Sequence, residues 1–461
     1  MKLTTISPVD GSVYAERTAA TVAQIEAALD SARLAQREWC TVPLAERAAI
    51  MERFCREFEG RGAQIATELS WQMGRPIRFA PSEVRGTLER ARHMTRIAAA
   101  ALADVDAGPK PGFRRFIRRE PLGVVFTVAA WNYPYLIAVN SVVPALLAGN
   151  AVVLKHSAQT PLCAETFAEC FNAAGLPASV FQVLHLSHAD TEAVIRDRRV
   201  DFVAFTGSVA AGHAVQRAAA ERFIGVGLEL GGCDPVYVRE DADLPHAIEN
   251  IVDGAYFNSG QSCCGLQRIY VHESVYEPFT RGCTELIRRY RLGNPLDPQT
   301  TLGPLVRSAA ADTVRAQIAA TVQAGARAAI EEREFPESRA GTAYLAPLLL
   351  LDAPPASCVM REEIFGPVAG VMRVRNDAEA VAHMNDSRFG LTAAVWTRDE
   401  AAALELGAQL ETGTFFMNRC DYLDPALAWV GVKDSGRGCT LSVVGYEHLT
   451  RPKSFHLRVT T

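Results

Sequence analysis

The sequence predicts an α/β fold with two Rossmann-like open sheets, each flanked by helices. Three observations carry this. From residue 121 onward, short apolar runs alternate with helical stretches, the pattern of parallel strands joined by crossover helices. The pattern restarts after Gly231-Gly232, which points to a second unit. The chain has 461 residues, too many for one simple core, since domains usually hold roughly 100–200 residues.

The elements follow in order. Apolar residues recur at helical spacing through Val22, Ile25, Ala28 and Leu29, so 22–58 is expected to be helical. A second helical block covers 61–104, with a break at Pro76 or Pro81. Residues 109–112 read as a turn. Residues 113–119 alternate apolar and basic and suit an exposed strand or hairpin, with Arg114, Arg115, Arg118 and Arg119 on its solvated face. Strands are expected at 124–130, 152–154, 180–186 and 202–205, with helices at 161–174 and 210–221. Gly175 and Pro177 close the first of these helices. In the second unit, helices are expected at 244–257, 308–324, 378–385 and 400–410, and strands at 268–272, 344–351, 392–396 and 414–418. An alternating segment at 454–459 can pair with an edge strand of this chain or of a partner subunit.

Composition narrows the class. A net charge of -5 gives no electrostatic reason to expect nucleic acid or an acidic membrane as partner. The N-terminal residues lack the apolar core of a signal peptide, and no run approaches the ~18–20 apolar residues of a membrane span. Eleven cysteines are scattered without zinc-type spacing, so no metal site is expected and a reducing, cytoplasmic setting fits.

Several residues have the chemistry of a site. Cys263 and Cys264 lie in the Gly-bounded loop Gly260-Gln261-Ser262-Cys263-Cys264-Gly265. A reactive thiol needs access and an environment favouring thiolate, whereas most cysteines are buried packing residues. Glu229 stands between two leucines, where burial would raise its pKa toward that of a general base. Otherwise it is a strand-edge glutamate facing solvent. Asn132 follows a strand and can donate its amide to an oxyanion, or simply shape the turn before Pro134. Phe205-Thr206-Gly207-Ser208 with Gly212 has the look of a strand–glycine loop–helix phosphate site, without the usual GxGxxG or a Walker lysine. Lys155 ends another strand and is a lone cation there.

Taken together, Trp131-Asn132-Tyr133-Pro134, Lys155, Phe205-Thr206-Gly207-Ser208, Glu229-Leu230-Gly231-Gly232, Gly260-Gln261-Ser262-Cys263 and Glu362-Glu363-Ile364-Phe365-Gly366-Pro367 resemble the aldehyde dehydrogenase superfamily in order and spacing. The resemblance runs from Asp10-Gly11 to Gly431-Val432-Lys433-Asp434-Ser435-Gly436. It implies NAD(P)-dependent oxidation of an aldehyde to an acid. Cys263, the second residue after the Gly-Gln pair, matches the nucleophile, and Cys264 is its neighbour. Glu229 matches the base that activates water, and Asn132 the oxyanion donor. A CoA-acylating relative needs no such base, so a free acid is the expected product. A CoA-dependent enzyme and an inactive structural homologue are the alternatives.

The resemblance further implies a site for NAD or NADP. Trp131, Lys155, Ser157, Ala158, Gly207, Ser208, Gly212, Leu230, Glu363 and Phe365 would form it. Ala158 stands where NAD-preferring relatives often carry Glu, so the charge that repels a 2′-phosphate is missing and NADP should be tolerated. His156 could add a donor, although an exposed histidine at a helix start is commoner. Tyr133, Phe257 and Trp131 resemble the aromatic wall of the aldehyde tunnel, and Arg419 and Cys420 belong to the loop at its mouth, with Asp421 and Tyr422. Succinate-semialdehyde-specific relatives commonly place Arg at the Phe257 position, so an aliphatic or aromatic aldehyde is expected first and a semialdehyde second. Residues 1–106 and 121–229 would bind the cofactor and 230–440 carry catalysis. Strands in 107–120 and 441–461 would join subunits into a homodimer or homotetramer.

Overall fold

The computed structural model describes residues 1–460. A six-stranded sheet has the order Gly436–Arg437, Gly225–Glu229, Phe202–Thr206, Val124–Val128, Ala151–Lys155, Phe181–Val183. All its pairs are parallel except Gly436–Arg437 against Gly225–Glu229. Strand order reverses at Val124–Val128, so a crevice opens at the C-terminal ends of Val124–Val128 and Phe202–Thr206. Every residue of Val124–Val128 is buried, with Val125 in one apolar core and Val124, Phe126 and Val128 in another. A strand covered on both faces reads as an uninterrupted apolar run, which is why the sequence marks it clearly.

A seven-stranded sheet has the order Arg327–Ala328, Leu348–Leu351, Val368–Val374, Leu266–His272, Asp234–Val238, Thr392–Trp396, Thr414–Met417, parallel except at its first pair. The third sheet is antiparallel: Thr450–Arg458, Phe113–Pro121, Val105–Asp106. On Phe113–Pro121, Arg118 pairs with Asp104 and Arg119 with Glu447, while Arg115 donates to the Ala107 and Gly108 carbonyls and Arg114 lies over the Phe116 ring.

Some expectations need correction. The stretch 22–58 is two helices, Val22–Trp39 and Leu44–Gly60, split before Pro43, which disfavours helix in the residue preceding it. The block 61–104 is Gly62–Met73 and Pro81–Ala101. Gly74 ends the first of these in the left-handed region (φ 81°), and a Cβ there would lie 2.8 Å from Pro304, so glycine is required twice over. The strands expected at 180–186 and 344–351 shrink to Phe181–Val183 and Leu348–Leu351. The segment after 441 begins as a helix, Ser442–Glu447, before its strand. The reading missed the N-terminal hairpin Lys2–Ile6 and Val13–Thr18, and the helix Pro134–Leu147. That helix is buried at all but two of its 14 positions, so it has no polar stripe to betray a helical period. It packs against Pro81–Ala101, and this contact builds much of the site.

Candidate active site

Asn132 lies in the turn between Val124–Val128 and the helix Pro134–Leu147, whose first residue is a proline preset for the helical φ. The turn is clamped. The Asn132 carbonyl accepts from Arg75 Nη2 (2.6 Å) and Asn258 Nδ2 (3.1 Å). Arg75 is ion-paired with Glu83, and both are buried. Glu83 Oε1 also accepts from the Tyr135 and Leu136 amides (2.9 and 3.3 Å), placing a carboxylate at the positive end of the helix. The Asn132 amide donates to Gln261 O (3.2 Å), in the loop that carries the two cysteines. The C-terminal edge of the six-stranded sheet thus meets the N-terminal edge of Leu266–His272.

In that loop, Asn258, Ser259 and Gly260 all have positive φ. A Cβ on Gly260 would lie 2.1 Å from Gly366 O, so only glycine fits. Gln261 is pinned through Nε2 to Asn258 O (3.0 Å), and its Oε1 accepts from Val306 N (2.8 Å). The backbone therefore presents two thiols differently. Cys263 is half-buried and lines a cavity of about 390 Å³. Cys264 is buried, with its Sγ 3.0 Å from Asp421 Oδ1, and the Cys263 thiol beside it together with burial pushes its pKa well up.

Glu229 ends the strand Gly225–Glu229 and lines the same cavity. Its Oε1 accepts from Thr440 Oγ1 (2.5 Å) and its Oε2 from Thr206 Oγ1 (3.4 Å). Desolvation raises its pKa, and the two hydroxyls and nearby Arg90 partly offset that. A raised carboxylate facing a cavity suits a general base. Tyr133 and Phe257 line the cavity as expected from the sequence, joined by Leu136, Ile137, Tyr422, Leu423 and Trp429. Arg419 and Cys420 do not line it. Arg419 stacks over the Tyr422 ring (3.7 Å), and the Cys420 thiol donates to Asn250 O (3.4 Å). Their neighbours Asp421 and Tyr422 reach the cavity instead.

The residues expected to hold a dinucleotide gather around the crevice. Lys155 ends its strand, its ammonium has no hydrogen-bond partner among the described residues, and burial lowers its pKa. Ser157 Oγ accepts from Gln159 N (3.2 Å), and Ala158 O accepts from Thr5 Oγ1 (2.8 Å), so the N-terminal hairpin buttresses this turn. Gly207 N donates to Glu229 O (3.0 Å). Ser208 caps the helix Val209–Ala219 by accepting from the Ala211 amide (3.3 Å), and the Val209 and Ala210 amides, without a partner among the described residues, are open to a phosphate. Gly212 and Leu230 touch: a Cβ on Gly212 would lie 2.7 Å from Leu230. Glu363 Oε1 accepts from Gly232 N (3.2 Å), and burial pushes its pKa up to about 7. A Cβ on Gly231 would lie 2.3 Å from that carboxylate. Phe365 sits edge-on to Trp131 (5.7 Å). A lone cation, a capped helix N-terminus and a glycine-lined carboxylate at a sheet switch point fit a nicotinamide dinucleotide. His156 is a correction: it is 2% exposed, its Nε2 lies 3.2 Å from Pro134 O, and burial lowers its pKa to about 4.

Sequence reasoning missed Arg75, Glu83, Arg90, Thr440 and Trp429, and read Thr206 only as part of the glycine loop, not as a partner of Glu229. Only Glu83 carried a local signal, an acid in the first turn of its own helix.

The family model for the aldehyde dehydrogenase family matches residues 1–455. The chain is 34% identical over 456 residues to succinate-semialdehyde dehydrogenase [NADP(+)] 1 of Mycobacterium tuberculosis (strain ATCC 25618 / H37Rv), covering 98% of this chain and 99% of the relative. It is also 34% identical over 454 residues to betaine aldehyde dehydrogenase 1 of Rhizobium meliloti (strain 1021), covering 98% and 93%. The solved structure of PnpE in complex with nicotinamide adenine dinucleotide superposes with a TM-score of 0.96 at 28% identity, covering 100% of this chain and 95% of that one; PnpE is from Pseudomonas sp. WBC-3. The chain belongs to the aldehyde dehydrogenase family, whose members oxidise aldehydes with NAD or NADP.

Proposed function

We propose that Cys263, Asn132 and Glu229 carry the oxidation of an aldehyde to a free carboxylic acid. The observation behind this is that the three side chains line one cavity while Cys264 is buried behind it. Cys263 Sγ attacks the aldehyde carbon. A C–S bond forms and the carbonyl electron pair moves to oxygen. The Asn132 amide and the Cys263 backbone N–H receive that oxyanion, a kind of donor whose removal typically costs ~100–1000-fold in rate. Lys155, Ser208 and Glu363 would hold a nicotinamide dinucleotide, which would supply the two-electron oxidant: the C–H bond of the Cys263-bound carbon would break with its electron pair leaving as hydride, and the oxyanion would close to the thioester carbonyl. Glu229 then takes a proton from water, the water oxygen bonds to the thioester carbon, and Cys263 departs as thiolate. Thr440 and Thr206 hold the Glu229 carboxylate for this step.

The retained base favours hydrolysis over transfer to CoA and argues against an inactive homologue. Ala158 supports use of NADP as well as NAD. The six-stranded unit, from 1–106 and 121–229, is read as cofactor-binding, with Gly436–Arg437 added to its edge. The seven-stranded unit within 230–440 is read as catalytic. The sheet of Phe113–Pro121 and Thr450–Arg458 is read as the surface that joins subunits into a dimer or tetramer. Among the described residues no helix is long and apolar enough to cross a membrane. Eleven free cysteines support a cytoplasmic location. The test is Cys263→Ala with Cys264 retained, assayed without CoA. Loss of all acid formation is expected, with Cys264→Ala still active; turnover by Cys263→Ala, or strict CoA dependence of the unaltered enzyme, refutes the reading.

A further inference from the structure

The two relatives of equal identity are named for an acidic and a cationic aldehyde, so overall similarity does not choose a substrate. The cavity wall does. Arg90, on the helix Pro81–Ala101, lines it while only 9% exposed. Its Nη1 donates to Leu136 O (3.0 Å) and Asn140 Oδ1 (3.1 Å), both on the facing helix. Those two bonds use both Nη1 protons and fix the plane of the guanidinium. Its Nε and Nη2 make no bond to the protein among the described residues, yet neither is among the sealed atoms that lack a partner. This free edge carries two parallel N–H groups, the geometry that grips a carboxylate through both oxygens.

A buried guanidinium without a counter-ion is costly, and arginine cannot escape by losing its proton. No acidic side chain lies within ion-pair distance of Arg90 among the described residues. The nearby carboxylates are occupied elsewhere. Glu83 holds Arg75 and the helix amides. Glu229 holds Thr440 and Thr206. Asp421 accepts from Ser262 Oγ (3.1 Å) and Cys264 Sγ (3.0 Å), and burial pushes its pKa up to about 7. At the rim, Glu89 binds the Tyr422 hydroxyl (2.9 Å), Arg85 is exposed and screened by solvent, and Asp253, exposed by area, has its pKa raised by desolvation, which weakens its charge. Arg90 is therefore the inner cation, set in a largely apolar wall that also carries Cys263.

We propose that the substrate is an aldehyde bearing a carboxylate at its far end, and that Arg90 docks this carboxylate on its Nε–Nη2 edge while the aldehyde carbon meets Cys263. The inference rests on the oxidative reading above. It makes Arg90 a specificity-determining residue on a helix that carries none of the family motifs.

The experiment compares 4-oxobutanoate with butanal, a neutral aldehyde of the same chain length, on the full-length enzyme with NADP. The unaltered enzyme should prefer 4-oxobutanoate in kcat/KM. In Arg90→Met that preference should fall about 100-fold, mainly through KM, as expected when one partner of a desolvated charge pair is removed. Arg90→Lys, which keeps the charge but not the fork, should fall between them. Succinate should bind the Cys263→Ala enzyme and lose affinity on addition of Arg90→Met, measured by calorimetry. Equal losses on both aldehydes with a displaced acid limb of the pH profile would assign Arg90 to Glu229 and overturn the proposal. So would an unaltered enzyme that oxidises butanal as well as 4-oxobutanoate, or that prefers a trimethylammonium aldehyde, and neither result needs a variant to fold. Oxidation of butanal without preference leaves the oxidative reading standing; failure to oxidise any of the aldehydes overturns both.

Discussion

Replacing Thr440 by valine removes the shorter of the two hydroxyl donors on Glu229, the 2.5 Å bond to Oε1, and leaves Thr206 at 3.4 Å. A donor to a carboxylate stabilises the charged form, so its loss raises the Glu229 pKa further above its ordinary value. Hydrogen bonds to charged groups are worth about 1.5–3 kcal/mol, so the proton affinity of the carboxylate should rise roughly 10–150-fold. In the proposed role of base, Glu229 works only when ionised. Activity that depends on it is lost as pH falls through its pKa, and Thr440→Val should move the acid limb of kcat to higher pH. The assay is the kcat–pH profile at saturating aldehyde, with a pre-steady-state burst of cofactor reduction to show that thioester hydrolysis limits turnover. Thr206→Val should move the same limb less, in keeping with its longer bond. An acid limb unmoved in Thr440→Val while the burst persists would refute the assignment of Glu229 as the hydrolytic base.

Other outcomes follow from the same contacts. Glu83→Gln leaves Arg75 buried without its counter-charge, a loss of about 3–5 kcal/mol. With roughly 2.1 cal/mol/K of unfolding entropy per residue over 461 residues melting as one unit, Tm should drop by about 3–5 °C in scanning calorimetry. His156 is neutral in the fold, its pKa lowered from the ordinary 6.5 to about 4. The unfolded chain binds its proton first, so stability falls as pH drops from about 6.5 to about 4, by roughly 3 kcal/mol in all. His156→Gln should show a smaller loss of Tm across that window. Ala158→Glu places a like charge near a 2′-phosphate, and should raise KM for NADP at least about tenfold while leaving that for NAD nearly unchanged.

Much of the site was legible because its chemistry is written locally. The Gly-Gln-Ser-Cys order points to Cys263 rather than Cys264 as the candidate nucleophile, and the loop behind it demands glycine at Gly260 through the approach of Gly366. Val124–Val128 reads as a strand because both of its faces are buried. The helix Pro134–Leu147 was hidden for the same reason, since burial on all sides erases the polar stripe that shows a helical period. Arg419 and Cys420 were expected at the cavity from their place in the loop, yet the backbone turns their neighbours Asp421 and Tyr422 inward. A loop's sequence does not say which of its side chains face in.

The sequence by itself determined the reaction family and the order of the parts, and singled out Cys263 as the candidate nucleophile, because each motif needs only a few adjacent residues to adopt its turn. Tertiary structure decided how those parts are tuned. The donor that steadies Glu229 comes from Thr440, 211 residues away. The clamp on Asn132 comes from Arg75 and Asn258, and the cation in the cavity from Arg90. Proton affinity and substrate charge preference are sums over neighbours in space, and packing alone selects those neighbours.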